Sequence, residues 1–382
     1  MTQPAATTPS PRTSGKSGAT AGSPDEQADD AADRTTTRTA AGPDDLSPAE
    51  VAALIRAVDV DAAAATLTGV ARRTRVVTHP GLGRRTGAPI WLKCEDEQHT
   101  RSFKLRGAYN RVAQADPARR ARGLVAASAG NHAQGVAYAA AQFGVDSTIF
   151  VPTGANSVKV ARTRRWGARV EHVDGGVDAA LAAAAAFAAE GDRLMVHPFD
   201  DAAVIAGQGT VGLELIEQVP DLRTVVVGVG GGGLAAGIAA ALAGHARGAQ
   251  VRVVGVQAEN ASAFADSFHA GRRLCAPADT VADGMAVRTP GRLTLALAAS
   301  LLDDVVTVDE DAFWEAMVLL RATGDHLVEP AGAAGVAALL RHPGLAQGPT
   351  AVVLSGGNID LATAERVAAL TAAATVPATR LA

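Results

Sequence analysis

Lys104 lies in Ser102-Phe103-Lys104-Leu105-Arg106-Gly107-Ala108, between an aromatic ring and a glycine at the start of a helical stretch. An amine withdrawn from water is disfavoured as the ammonium ion. That readies it to attack a carbonyl carbon and form a Schiff base. Phe103 offers a face for a flat ring, and Gly107 admits close approach of another backbone. Most lysines are solvated surface charges, so other segments have to supply the rest of a site.

Three segments have the form strand, small-residue turn, helix or loop. Ser128-Ala129-Gly130-Asn131-His132-Ala133-Gln134-Gly135 leads a strand into a helix. Its free N–H groups and the positive end of the helix dipole suit a carboxylate or phosphate, although Ser128 or Asn131 in the role of helix cap accounts for the same residues. Gly230, Gly231, Gly232, Gly233 and Leu234 follow the apolar run 225–229 and open the next helix. Four glycines let a backbone wrap a phosphate. The same stretch fits GxGxxG, with Glu259 ending the following strand where a ribose-binding acid would sit, so a nicotinamide-dependent dehydrogenase is a rival reading. Ser355, in Ser355-Gly356-Gly357-Asn358, ends a further strand. It fits an ordinary tight turn, or a hydroxyl that can donate to or accept from a ring nitrogen.

The elements that must position these residues read as an α/β fold. Apolar strand-like runs at 89–94, 123–128, 147–151, 169–173, 194–197, 224–229, 251–257, 305–308 and 351–354 alternate with alanine-rich helical stretches such as 131–143, 178–190 and 234–243. Continuous apolar strands between helices imply a mostly parallel sheet covered on both faces. Residues 1–46 carry almost no large apolar side chains and read as a disordered tail. Order is expected to begin at Ser47, where Pro48 and Glu50 complete a capping box. A chain of 382 residues, 48% hydrophobic and 19% charged, is long enough for two lobes. A net charge of −4, with only 3% aromatic residues, argues against a nucleic-acid partner. No apolar run is long enough for a bilayer, so no membrane partner is expected. Cys94 and Cys275, unpaired and far apart, suit a reducing cytoplasm. The histidines form no HxxxH or comparable cluster, so no metal site is expected.

SFKLRGAYN around Lys104, SAGNHAQG at 128–135, GQGT at 207–210, GGGGL at 230–234, ADGMAV at 282–287 and SGGN at 355–358 occur in this order. Together they resemble the threonine ammonia-lyase (threonine dehydratase) and serine racemase family of fold-type II pyridoxal-phosphate enzymes, over about residues 65–362. The resemblance implies a tryptophan synthase β-like fold of two lobes, each a mostly parallel sheet flanked by helices. The large lobe would hold 47–122 and 200–382, the small lobe 123–199, and the cofactor the cleft between them. It also implies roles. Lys104 would carry pyridoxal 5'-phosphate as a Schiff base and then take the Cα proton. Phe103 would pack on the ring, and Asn131 would contact the ring oxygen. The backbone of Gly230 to Gly233 and Leu234 would hold the phosphate. Ser355 would bond the ring nitrogen, with Glu329 lining that end. Ser128, Ala129, Asn131 and His132 would face the substrate.

Two positions choose within the family. Relatives that racemise carry a second serine in the SxGNH turn, where this chain has Ala129, so the lyase is favoured. Metal-dependent relatives place an aspartate six residues after the glutamate matched by Glu259, where this chain has Ala265. The expected activity is deamination of L-threonine to 2-oxobutanoate, and of L-serine to pyruvate, by a cytoplasmic homodimer or homotetramer. The chain ends soon after SGGN, so no C-terminal regulatory domain is expected. The alternatives are a related β-eliminase or a racemase acting on serine, 3-hydroxyaspartate or diaminopropionate, or a small-molecule sensor on the same scaffold.

Overall fold

The computed structural model describes residues 46–324 and 326–375, so the tail expected over 1–46 lies, up to residue 45, outside the described residues. Order starts with the capping box. Ser47 N and Oγ donate to Glu50 Oε2 at 2.8 and 2.7 Å, and Glu50 N donates to Ser47 Oγ at 3.3 Å.

Ten strands follow among the described residues: β1 (Val76–Thr78), β2 (Ile90–Cys94), β3 (Leu124–Ala127), β4 (Ser147–Pro152), β5 (Arg169–Val173), β6 (Leu194–Met195), β7 (Thr224–Gly228), β8 (Arg252–Ala258), β9 (Asp304–Val308) and β10 (Thr350–Leu354). They form a six-stranded sheet in the order β1-β2-β10-β7-β8-β9 and a four-stranded sheet in the order β5-β4-β3-β6. All pairs are parallel except β1 with β2. The short edge strand β1 is the one that the apolar runs do not reveal. β6 stops before its expected end at 197, where the chain turns away through Pro198, which has no N–H for a ladder.

Alternation along the strands fills both faces of the larger sheet. Val225, Val227, Ala351 and Val353 pack with Leu234, Ile238 and Leu295 on one side. Val226, Val352 and Leu354 pack with Phe313, Val336 and Leu339 on the other. In the smaller sheet, Leu124, Ala126 and Ile149 face Val136 of the helix Asn131–Phe143 and Ala108 and Val112 of the helix Lys104–Ala113. Val125, Ala127 and Phe150 face Ala180 and Ala184 of the helix Val177–Glu190. The helix that begins at Lys104 thus packs on the smaller sheet, while the loop before it leaves β2 of the larger one. In open parallel sheets, sites form beyond the carboxyl ends of the strands, and Ser128, the glycine run and Ser355 all lie there.

Candidate active site

The loop carrying Lys104 is stitched to the loop after β10 by backbone. Phe103 N donates to Ser355 O at 3.2 Å, Gly357 N donates to Arg101 O at 2.8 Å, and Ser102 bridges Gly356. This fixes Lys104 beside Ser355 although the two are far apart in sequence. The amine donates to Pro198 O at 2.8 Å and stands 5.2 Å from the centroid of the Phe103 ring. Of the three described lysines, Lys93 pairs with Glu214 and Lys159 with Asp283, whereas Lys104 has no carboxylate partner. Burial without such a partner pulls its pKa down to about 8.

The glycine run faces this amine. Phe103, Lys104, Phe199, Gly228, Gly230 to Gly233, Leu234, Gly284, Met285, Ala331 and Ser355 line one cavity. Gly232 has φ of +92°, and a Cβ there would collide with the Phe264 ring. A Cβ on Gly231 would collide with the Phe199 ring. The helix Gly233–Ala243 starts with no side-chain cap, so its first N–H groups are open to an anion. Thr294 Oγ1 steadies the turn by donating to Gly231 O at 2.6 Å.

Asn131 and Glu329 do not line this cavity but meet beside Gly356, the residue after Ser355, where a Cβ would run into Glu329 Oε1 and come within 3.1 Å of Asn131 Nδ2. Asn131 Nδ2 donates to Glu329 Oε1 at 2.5 Å, and Asn358 Nδ2 donates to Asn131 Oδ1 at 2.7 Å and to Thr100 O at 2.8 Å. Burial, and then the nearby Asp283 charge, raise the Glu329 pKa to about 7 against the opposing pull of Asn131. Ser355 is buried, and its hydroxyl makes only a long 3.4 Å bond to Ala331 O, which leaves it available to a ligand.

The remaining expected residues sit further back. Ser128 Oγ accepts from Gly130 N at 3.1 Å and so stabilises its own turn. His132 Nε2 lies 2.8 Å from the Val196 carbonyl, which can only accept, so the proton is on Nε2. Burial, reinforced by the Lys104 charge, lowers its pKa to about 3, and the ring is neutral. Ser128, Ala129 and His132 do not line the cavity that holds Lys104. Glu259 is exposed after β8.

Sequence reading missed the segment 197–200. Pro198 supplies the carbonyl for Lys104, Phe199 packs under Gly231, and Asp200 accepts from the N–H groups of Arg292, Leu293 and Thr294 at 2.8–3.1 Å. Only the run Pro198-Phe199-Asp200-Asp201, with its breaker and cap, could have flagged it. Also missed was a buried ionic cluster behind the site. Arg106 donates to Glu95 at 2.8 Å through Nε and Nη2 and to Glu214 Oε1 at 2.6 Å, while Lys93 pairs with Glu214 from the other side.

The sequence model described as pyridoxal-phosphate dependent enzyme matches residues 67–356. The chain is 42% identical over 315 residues to an L-threonine ammonia-lyase of Thermotoga maritima, covering 82% of this chain and 78% of that protein. It is 41% identical over 288 residues to the catabolic L-threonine dehydratase of Escherichia coli K12, covering 74% and 87%. Among solved structures, the threonine deaminase isoform 2 of Solanum lycopersicum superposes with a TM-score of 0.78 at 31% identity, over 86% of this chain and 90% of that one. Maize serine racemase superposes with a TM-score of 0.77 at 31% identity, over 84% and 98%.

Proposed function

This chain belongs to the pyridoxal-phosphate dependent enzymes, and from that premise we propose that it deaminates L-threonine to 2-oxobutanoate and ammonia, and L-serine to pyruvate. It is an ammonia-lyase. Water leaves by β-elimination, and water taken up on hydrolysis releases the ammonia. The dinucleotide reading of the glycine run is set aside by the family match.

The observation that carries the reading is one cavity lined by a carboxylate-free lysine, an uncapped glycine-rich helix entrance and a little-bonded hydroxyl. These features fit pyridoxal phosphate, which needs an amine, an anion cradle and a partner for its ring nitrogen. When bound, the cofactor supplies an aldehyde that captures amino groups and a ring that stabilises charge at Cα.

Gly230 to Gly233 and Leu234 would hold the phosphate by backbone N–H groups, and Phe103 would pack against the ring. Lys104 would anchor the cofactor through its amine, and the same amine is the group placed to take the substrate's Cα proton. An amine with a pKa of about 8 is basic enough to accept that proton and still returns it near neutral pH. Asn131, tethered by Glu329 and Asn358, would present its second amide hydrogen to the ring oxygen. The turn of Ser128, Ala129 and Asn131 would meet the substrate carboxylate through its backbone N–H groups and the Ser128 hydroxyl, while His132, whose single N–H goes to the Val196 carbonyl, would hold that turn in place. Ser355 places a neutral hydroxyl where other enzymes have a carboxylate. A hydroxyl there would hold a proton on the ring nitrogen less firmly than a carboxylate, which would favour loss of a β-hydroxyl over transamination.

The two sheets act as two lobes divided near 123 and 199, with the helix Lys104–Ala113 bridging them. No helix among the described residues is long and apolar enough to cross a membrane. Two unpaired cysteines favour the cytoplasm, and the enzyme works as a homodimer or homotetramer, which light scattering of the purified protein tests. Assay of keto acid from threonine and serine tests the activity. Turnover of both supports it, and bound cofactor without keto acid from either would overturn it.

A further inference from the structure

Behind the cavity, three segments bring metal-binding side chains together. Cys94 ends β2, Asp96 lies in the turn after it, and His326 stands on the loop that leads to Glu329. One ligand atom from each lies within 4.8 Å of the others, and all three residues are buried. Asp96 is 5% exposed, yet its Oδ1 has no hydrogen-bond partner. Its Oδ2 is 3.8 Å from His326 Nδ1, too far for a hydrogen bond. The Cys94 thiol has only a weak 3.6 Å contact with Leu92 O. The neighbouring cations have other partners: Arg101 donates to Leu327 O at 3.3 Å, Arg75 grips Glu97 at 2.6 and 2.9 Å, and Lys93 pairs with Glu214. A buried carboxylate oxygen without a donor is costly, and a cation at the centre of this triangle would satisfy it.

We propose that Cys94, Asp96 and His326 form a divalent-metal site with the ligand chemistry of zinc. Thiolate, imidazole and carboxylate suit that ion, at bond lengths of about 2.0–2.3 Å. Tetrahedral ligands at such lengths stand roughly 3.3–3.8 Å apart, and Asp96 Oδ2 already lies 3.8 Å from His326 Nδ1. Two anionic ligands and one dication leave the site neutral. The thiol proton goes to solvent as the sulfur–metal bond forms. Asp96 and His326 also line an open polar cavity with His99 and Arg101, which provides an entrance and room for water as fourth ligand. The site would brace the catalytic loops, because a Cβ on Gly357 would meet Arg101 Nη2 at 2.7 Å, Asp96 Cβ at 3.1 Å and Leu327 O at 3.2 Å, so the loop after β10 lies directly against it.

The test uses the holoenzyme with Cys275→Ser, which removes the exposed thiol. After chelator treatment and zinc loading, metal content is measured by mass spectrometry, affinity by competition with a chromophoric chelator, and proton release in weak buffer. The expected result is one zinc per chain and about one proton released on binding. His326→Ala and Cys94→Ser should each lower affinity at least about 100-fold, more than a supporting residue costs, with cofactor absorbance unchanged. No retained zinc, or equal retention by His326→Ala, would overturn the site. Should Cys94→Ser fail to fold, the loop variant His326→Ala decides alone.

Discussion

At the residue scale, Lys104 and Glu329 have pKa values moved in opposite directions by the same cause, the loss of water. For Lys104 the neutral amine is the reactive form. Attachment of cofactor to stripped enzyme should therefore accelerate as pH rises through about 8, and stopped-flow absorbance would show it. A rate that levels off only near the ordinary lysine value would contradict the assignment. Glu329 behaves differently. Its folded-state pKa of about 7 exceeds the ordinary 4.5, so the folded protein binds the extra proton and stability falls as pH rises between those values. Glu329→Gln should flatten that part of a melting-temperature profile of cofactor-free enzyme. Ala129 makes the third case. If a missing proton donor is what separates lyase from racemase here, Ala129→Ser should raise conversion of L-serine to D-serine at least about tenfold, the effect of about 1.4 kcal/mol on a barrier. Chiral chromatography reads the result, and an unchanged racemisation rate would refute that explanation.

At the element scale, the glycine turn and the ionic cluster do different work. The turn is shaped by absence of side chains: Phe199 occupies the space a Cβ on Gly231 would need. Gly231→Ala should weaken cofactor retention at least about tenfold. Adding Phe199→Ala should restore part of the loss, since coupled neighbours are non-additive. Equilibrium dialysis distinguishes the outcomes. The cluster of Arg106, Glu95, Glu214 and Lys93 locks the helix Lys104–Ala113 to β2 and to the helix Ala202–Gln218. Removing one charge strands its partner, so Glu95→Gln should cost about 3–5 kcal/mol in urea unfolding. A loss below about 1 kcal/mol would mean that the cluster is not coupled to folding. Nothing local announced this cluster, because Glu95, Arg106 and Glu214 meet only after β2 and two helices have packed. The glycine run, by contrast, was legible because its chemistry and its backbone sit in the same few residues.

At the scale of the whole molecule, the alternation of apolar runs with alanine-rich helices revealed every strand but β1, the antiparallel edge strand that has no helix between it and the preceding arginine-rich stretch. The family motifs located Lys104, Gly230 to Gly233 and Ser355, which the fold gathers into one cavity. They did not disclose the bridge from Phe103 and Arg101 to Ser355 and Gly357, which is backbone pairing between opposite ends of the chain. Nor did they reveal the contributions of Pro198 and Phe199, which matter through a carbonyl and a packed ring. The central claim is that one amine out of four lysines carries the cofactor. The direct measurement is borohydride reduction of the purified enzyme followed by peptide mass mapping. A pyridoxyl adduct is expected on the peptide containing Lys104, with loss of the visible band in Lys104→Ala. An adduct on Lys93 or Lys159, or none at all, would contradict it.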